Sequence, residues 1–126
     1  MSETIRRAIS IQQPFAEQIL RGEKREEYRS RATNIRERVY VYASLTPGPS
    51  ERWKGTTWRP GDLPTGLLVG TVDIVDCKWD ERRQSYAYAL AHPRRLAKPI
   101  LPVNRKSAAP AFWRPQLPDV PAKPQP

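Results

Sequence analysis

The stretch Ala8-Ile9-Ser10-Ile11-Gln12-Gln13-Pro14-Phe15-Ala16-Glu17-Gln18-Ile19-Leu20-Arg21-Gly22-Glu23-Lys24-Arg25-Glu26-Glu27-Tyr28-Arg29 decides the fold. Arg6 to Ile11 reads as a short strand. Pro14 suits the first helical turn, because its missing N–H would have no intrahelical partner there. The helix is expected to run to about Arg21. Phe15, Ala16, Ile19 and Leu20 fall on one face, whereas Glu17, Gln18 and Arg21 point away, and Gly22 supplies the left-handed stop. Glu26 to Arg29 then reads as extended, so strand, helix and strand follow one another within a short span.

Working outward, Arg38 to Ala43 alternates Val39, Val41 and Ala43 with Arg38, Tyr40 and Tyr42, the period of a half-buried strand. Ser44 to Gly66 is rich in Gly, Pro, Ser and Thr and long for a structureless loop, so it is expected to carry a helical turn near Glu51 to Lys54 or to line a functional edge. Within it, Trp53 and Trp58 are either stacking platforms or plugs at the end of a small barrel. Leu67 to Cys77 is the clearest strand, with Leu68, Val72 and Ile74 on one face and Gly70 as a bend or bulge. Tyr86 to Ala91 forms another, which His92 and Pro93 are expected to end, and a last short strand is placed at Ala111 to Arg114. Residues 1–114 form one domain on this reading. Pro115 to Pro126 has a proline every two or three residues and is a tail, either frayed or a docking peptide for a protein partner.

The formal charge is +9, from 22 basic and 13 acidic residues, and the stretch from Cys77 onward holds ten Lys/Arg against three Asp/Glu. Such a field attracts phosphate polyanions, since each neutralised phosphate releases condensed counterions. No run approaches the roughly 18 apolar residues a spanning helix needs. Met1 to Arg7 leads into a strand rather than a signal peptide's apolar core, so a soluble, cytoplasmic protein with no membrane association is expected. One cysteine, Cys77, and one histidine, His92, give no basis for a disulfide or a Cys/His zinc site, and no metal or cofactor is expected.

The 8–29 stretch closely resembles the opening of ASCH domains, whose signature G-x-K-x-x-E-x-R is met by Gly22, Lys24, Glu27 and Arg29. Val39 to Ser44, Leu63 to Cys77 and Tyr88 through Leu96 resemble later segments of the family in order, over about Ile5 to Trp113. The resemblance implies an α+β fold, a small PUA-like mixed β-barrel closed by short helices, with a groove holding the signature residues. In an extended segment Glu27 and Arg29 share a face and can pair or contact one polar ligand, while Lys24 reaches independently from the turn. Lysine suits a phosphate or carbonyl oxygen as a compact donor, and arginine a phosphate or base edge through two parallel bonds. Gln12 and Gln13 either read a base edge or cap the helix.

Two functions stand open. One is binding of RNA, single-stranded nucleic acid or a modified nucleoside through Gln12, Gln13, Lys24, Glu27 and Arg29. In that reading Trp79, Arg82, Arg83, Arg94, Arg95, Arg105 and Lys106 add a basic, aromatic-interleaved surface. The other is hydrolysis, because some small ASCH proteins are implied to be amidohydrolases on acetylated cytidine and others ribonucleases. Catalysis would then fall to Lys24, Glu27 and Asp73, with Asp76 the other available choice for the distant acid and His92 as an added acid or base for a ribonuclease. Glu27 stands where the amidohydrolase pattern has threonine. The carboxylates around Lys24 are also expected to hold it protonated, which opposes its use as a base.

Overall fold

A computed structural model describes residues 4–105 and 110–118. The first strand, β1, spans Ala8–Ile11 and is buried throughout; helix α1 follows at Phe15–Leu20, with Pro14 at its N-cap position. Gly22 then adopts φ +77°, where a side chain would be strained, and its N–H bonds the carbonyl of Ile19 at 3.0 Å, which ends the helix. Strand β2 spans Glu26–Arg29, β3 spans Arg38–Ala43, and a single 3-10 turn occupies Ser50–Trp53. Two long strands, β4 at Leu67–Asp80 and β5 at Ser85–Ile100, form a hairpin, and β6 is the two-residue Phe112–Trp113.

These strands make one mostly-β, six-stranded mixed sheet in the order β2-β5-β4-β3-β1-β6. Only β1 and β3 pair in parallel, and the excursion through α1 and β2 supplies the crossover such a pairing requires. Ala16, Ile19 and Leu20 of α1 pack with Val39, Val41, Val69, Val72, Ile74 and Leu90 from the sheet. The helix comes so close to β4 that a Cβ on Gly70 would collide with the Leu20 side chain and stand 2.6 Å from the Arg94 carbonyl oxygen. Gly70 therefore marks a close approach as well as the register shift between Val41 and Tyr42 opposite it.

The two ends of the sheet curl toward each other. Tyr88 on β5 stacks against Phe112 on β6 with centroids 6.0 Å apart, and the Arg29 guanidinium of β2 donates to the backbone carbonyl of Ser10 in β1. Tyr88 is thus a core residue. Trp53 is likewise buried, donating through Nε1 to the Gly48 carbonyl at 2.9 Å, which favours the plug over the stacking platform. Among the described residues, no helix is long and apolar enough to cross a membrane.

Two sequence expectations need correction. Strand β5 does not stop at His92 and Pro93: Ala91 pairs Asp73 and Arg94 pairs Thr71, so the two residues between them bulge opposite Val72 while the strand runs on. His92 takes φ 53° in that bulge, and Pro93 needs no ladder donor there, which is how a proline survives mid-strand. Glu17 does not point into solvent. It is buried and accepts two bonds from Arg95, at 2.8 and 2.7 Å, so a charge from the distant strand neutralises it. At the other end of the chain, the N–H of Val103 bonds the Gln116 carbonyl and the Asn104 side chain bonds Arg114 and Gln116, so attachment to the body continues to Gln116. Residues 119–126 of the tail lie outside the described residues.

Candidate functional site

Beside the edge strand β2 lies a cavity of about 430 Å³, lined by Ser10, Gln12, Phe15, Lys24, Glu27, Tyr28, Arg29, Ser44 and Arg52. Glu27 and Arg29 reach it together because alternate residues of an extended strand project to one side. Glu27 is 8% exposed. Its Oε2 takes a 2.8 Å bond from Arg29 Nε, and its Oε1 lies 3.7 Å from Lys24 Nζ. Lys24 leaves the helix end at the turn into β2, and its backbone N–H is anchored on the Gln18 carbonyl at 3.1 Å. The lysine is therefore coupled to the carboxylate and does not act independently.

Flat rings complete the site. Lys24 Nζ sits 4.5 Å from the Phe15 ring centroid and 5.1 Å from that of Tyr28. Arg52 lies 4.8 Å from the same Phe15 ring and donates to Gln12 Oε1 at 2.7 Å. Burial, the largest influence, pulls the Lys24 ammonium below its ordinary pKa, and the charges of Arg52 and Arg83 add to this, while Glu27 opposes it. Glu27 thus favours the protonated lysine, as its charge predicts, while burial sets the direction of the net shift. Glu23 and Glu26 are exposed, leaving Glu27 as the carboxylate that acts on it.

Gln12 lines the cavity, whereas Gln13 is turned into the fold. Its Oε1 accepts from the Glu17 N–H at 2.9 Å and its Nε2 donates to the Pro64 carbonyl at 3.0 Å, the capping alternative weighed for this pair. Asp73 is not brought to the cavity. Its two oxygens take Arg38 Nη1 and His92 Nδ1, both at 2.9 Å. Burial alone would raise the Asp73 carboxyl, but the hydrogen bonds and charges of Arg38 and His92 outweigh it and hold the group below the usual carboxylate range.

Of the other basic candidates, Arg83 reaches the Tyr28 ring, 4.4 Å from its centroid, and the rest disperse. Arg82, Arg83 and the half-exposed Trp79 lie at the β4–β5 hairpin end, Trp79 edge-on to Tyr86 with centroids 5.1 Å apart. Arg94 is exposed beyond the bulge, Arg95 is bound to Glu17, and Arg105 lies against Gly66. Lys106 lies outside the described residues. Among the described residues, no group of three His, Cys, Asp or Glu is placed to hold a metal.

Sequence reasoning missed Arg52, Phe15 and Tyr28 as cavity residues. Phe15 was assigned to the helix's apolar face, and it does touch the core, yet its ring also faces the cavity. For Arg52 the available signal was the length of the Ser44 to Gly66 segment: the expected short helical turn forms at Ser50–Trp53 and lines an edge of the site.

The family model described as "ASCH domain" matches residues 9–108. The chain is similar to Activating signal cointegrator 1 of Homo sapiens, 38% identical over 80 residues that cover 55% of this chain and 14% of that protein. The Mus musculus protein of the same name matches to the same extent. The chain thus spans a small part of the length of these curated relatives. With the family model covering most of its sequence, including all of the cavity's lining residues, the chain belongs to the ASCH domain family.

Proposed function

We propose that this chain binds RNA, or a nucleotide-like ligand, in the cavity ringed by Lys24, Glu27 and Arg29. The observation that carries the reading is one buried carboxylate held between two cations beside flat rings, in an open cavity of about 430 Å³. That volume suits a small ligand such as a nucleotide. Glu27 can accept from a base amino group, Arg52 and Lys24 meet a phosphate, and Phe15 and Tyr28 bound the site with flat apolar surface. The family's link with RNA binding and the positive net charge support the same conclusion. In this reading the curled sheet is a PUA-like barrel, and residues 1–114 are its domain.

One observation favours a hydrolytic second reading: burial lowers the pKa of Lys24, as a general base requires. The deciding test is fluorescence anisotropy of labelled single-stranded RNA with wild type and Lys24→Ala at two salt concentrations, followed by inspection of the RNA. Salt-sensitive binding that Lys24→Ala weakens, with the RNA intact, is the expected result. Cleaved RNA, or turnover of acetylated cytidine, moves the assignment to the hydrolase. Absence of binding at low salt overturns the RNA reading.

A further inference from the structure

Cations and rings alternate in an unbroken row that begins in the cavity and leaves it. Arg52 lies 4.8 Å from the Phe15 ring, Lys24 4.5 Å from that ring and 5.1 Å from Tyr28, and Arg83 4.4 Å from Tyr28. Arg83 belongs to the turn of the β4–β5 hairpin, so the row joins three separate parts of the chain: the 3-10 turn, the α1–β2 turn and the hairpin end. We propose that a single-stranded nucleic acid follows this row, one nucleotide seated in the cavity and its neighbour carried over Tyr28 to Arg83. The ligand is then an oligonucleotide gripped at two positions rather than a free nucleoside; this deepens the nucleotide-binding reading above and rests on it.

Three features carry the inference. The row places like charges together: Arg52 and Arg83 both act on the Lys24 ammonium, a repulsion that a phosphate entering between them relieves. Arg52's hydrogen-bond partner among the described residues is the neutral Gln12 amide, and Arg83 has Asp80 at 3.4 Å with its own side chain about half exposed. Both guanidinium groups lie over a ring, 4.8 and 4.4 Å from its centroid, and an arginine that stacks between ring and base adds a cation–π contact to its charge. Bases reach such a stack only when freed from a complementary strand, which selects single-stranded over duplex nucleic acid. Regularly alternating flat groups match a polymer of bases and phosphates better than an acidic protein surface, which offers charge without stacking partners.

The experiment compares uridine 5′-monophosphate with a five-residue oligouridine RNA by calorimetry, on the full chain. The readout is the ratio of the two affinities, the advantage of length. Arg83→Ala is expected to shrink that ratio by about fivefold or more, because stacking on one such group is worth roughly 1 kcal/mol or more. The same variant should flatten the dependence of oligonucleotide affinity on salt by about one phosphate's share. Arg83→Lys, which keeps the charge and loses the plane, should retain the salt dependence and lose part of the ratio. Arg36→Ala removes the same charge from outside the row and serves as the control for net charge. A ratio unmoved by Arg83→Ala overturns the path while leaving the cavity reading intact, provided Lys24→Ala still weakens both ligands. Equal shrinkage with Arg36→Ala, or equal binding of a polyglutamate peptide, reduces the row to general attraction and overturns the path as well. If neither uridine ligand binds wild type, the cavity reading falls with it.

Discussion

Replacing Glu27 by glutamine removes one negative charge from between two cations with almost no change of shape. The carboxylate is 8% exposed, with Arg29 Nε at 2.8 Å and Lys24 Nζ at 3.7 Å. At an effective dielectric near 20, unit charges about 4 Å apart attract by ~4 kcal/mol, much of which offsets the cost of taking them from water. Removing one member of a buried pair typically costs about 3–5 kcal/mol, because the survivor is left uncompensated. Here glutamine still accepts from Arg29, and the open cavity lets water reach Lys24, so a loss of about 1–3 kcal/mol is expected. In a chain of this size that is a fall in melting temperature of roughly 3–10 °C. Urea unfolding at neutral pH, followed by tryptophan fluorescence, measures it. A double-mutant cycle with Lys24→Met isolates the part due to the Lys24 contact, since replacing the lysine in the glutamine background removes the stranded charge. A Glu27→Gln protein as stable as wild type, or more stable, refutes the claim that this carboxylate compensates the site's cations.

Lys24 also gives a pH dependence of defined sign. Its pKa is lowered in the folded chain from an ordinary value of 10.5, so between the lowered value and 10.5 the unfolded chain binds more protons, and stability contributed by this group rises with pH. Wild type should therefore gain on Lys24→Met as pH is raised from 7 toward 10 in parallel unfolding titrations; an unchanged difference would remove the burial argument. Gly70→Ala is expected to cost about 1–3 kcal/mol by overpacking, since the added Cβ meets the Leu20 side chain and stands 2.6 Å from the Arg94 carbonyl, which cannot swing aside. Unfolding midpoints of the two proteins decide it, and equal midpoints would mean that α1 is not seated as described.

The elements legible in the sequence are those whose signals are local. Glu26–Arg29 and Arg38–Ala43 fall where the sequence placed them, because a glycine stop precedes one and strict alternation runs through the other. The β5 strand was cut short because Pro93 is a reliable strand terminator only when no bulge removes the need for its N–H; the bulge is set by Thr71 and Asp73 on the neighbouring strand. Glu17 was misread for the same kind of reason, its neutralising Arg95 lying 78 positions away. Lys24, Glu27 and Arg29 were identified through the signature and do meet. The signature carries no information on how far burial offsets the charge of Glu27 on Lys24. Arg52 carries no local mark at all, since it reaches the cavity through the path of the Ser44 to Gly66 segment.

Ser10 has a wider role than lining the cavity. Its backbone N–H bonds the Ala111 carbonyl, its hydroxyl donates to the Pro110 carbonyl and accepts from Trp113 Nε1, and its own carbonyl receives Arg29. One floor residue of the cavity thus fastens residues about a hundred positions apart in the chain. Contacts of such sequence separation cost loop-closure entropy that local contacts do not, and through them the cavity wall is tied to β6. A ligand seated there consequently stabilises the whole domain against global unfolding, by about 2.7 kcal/mol at a hundredfold excess over its Kd. Hydrogen exchange in the central strands should therefore slow on ligand binding, although β4 does not line the cavity.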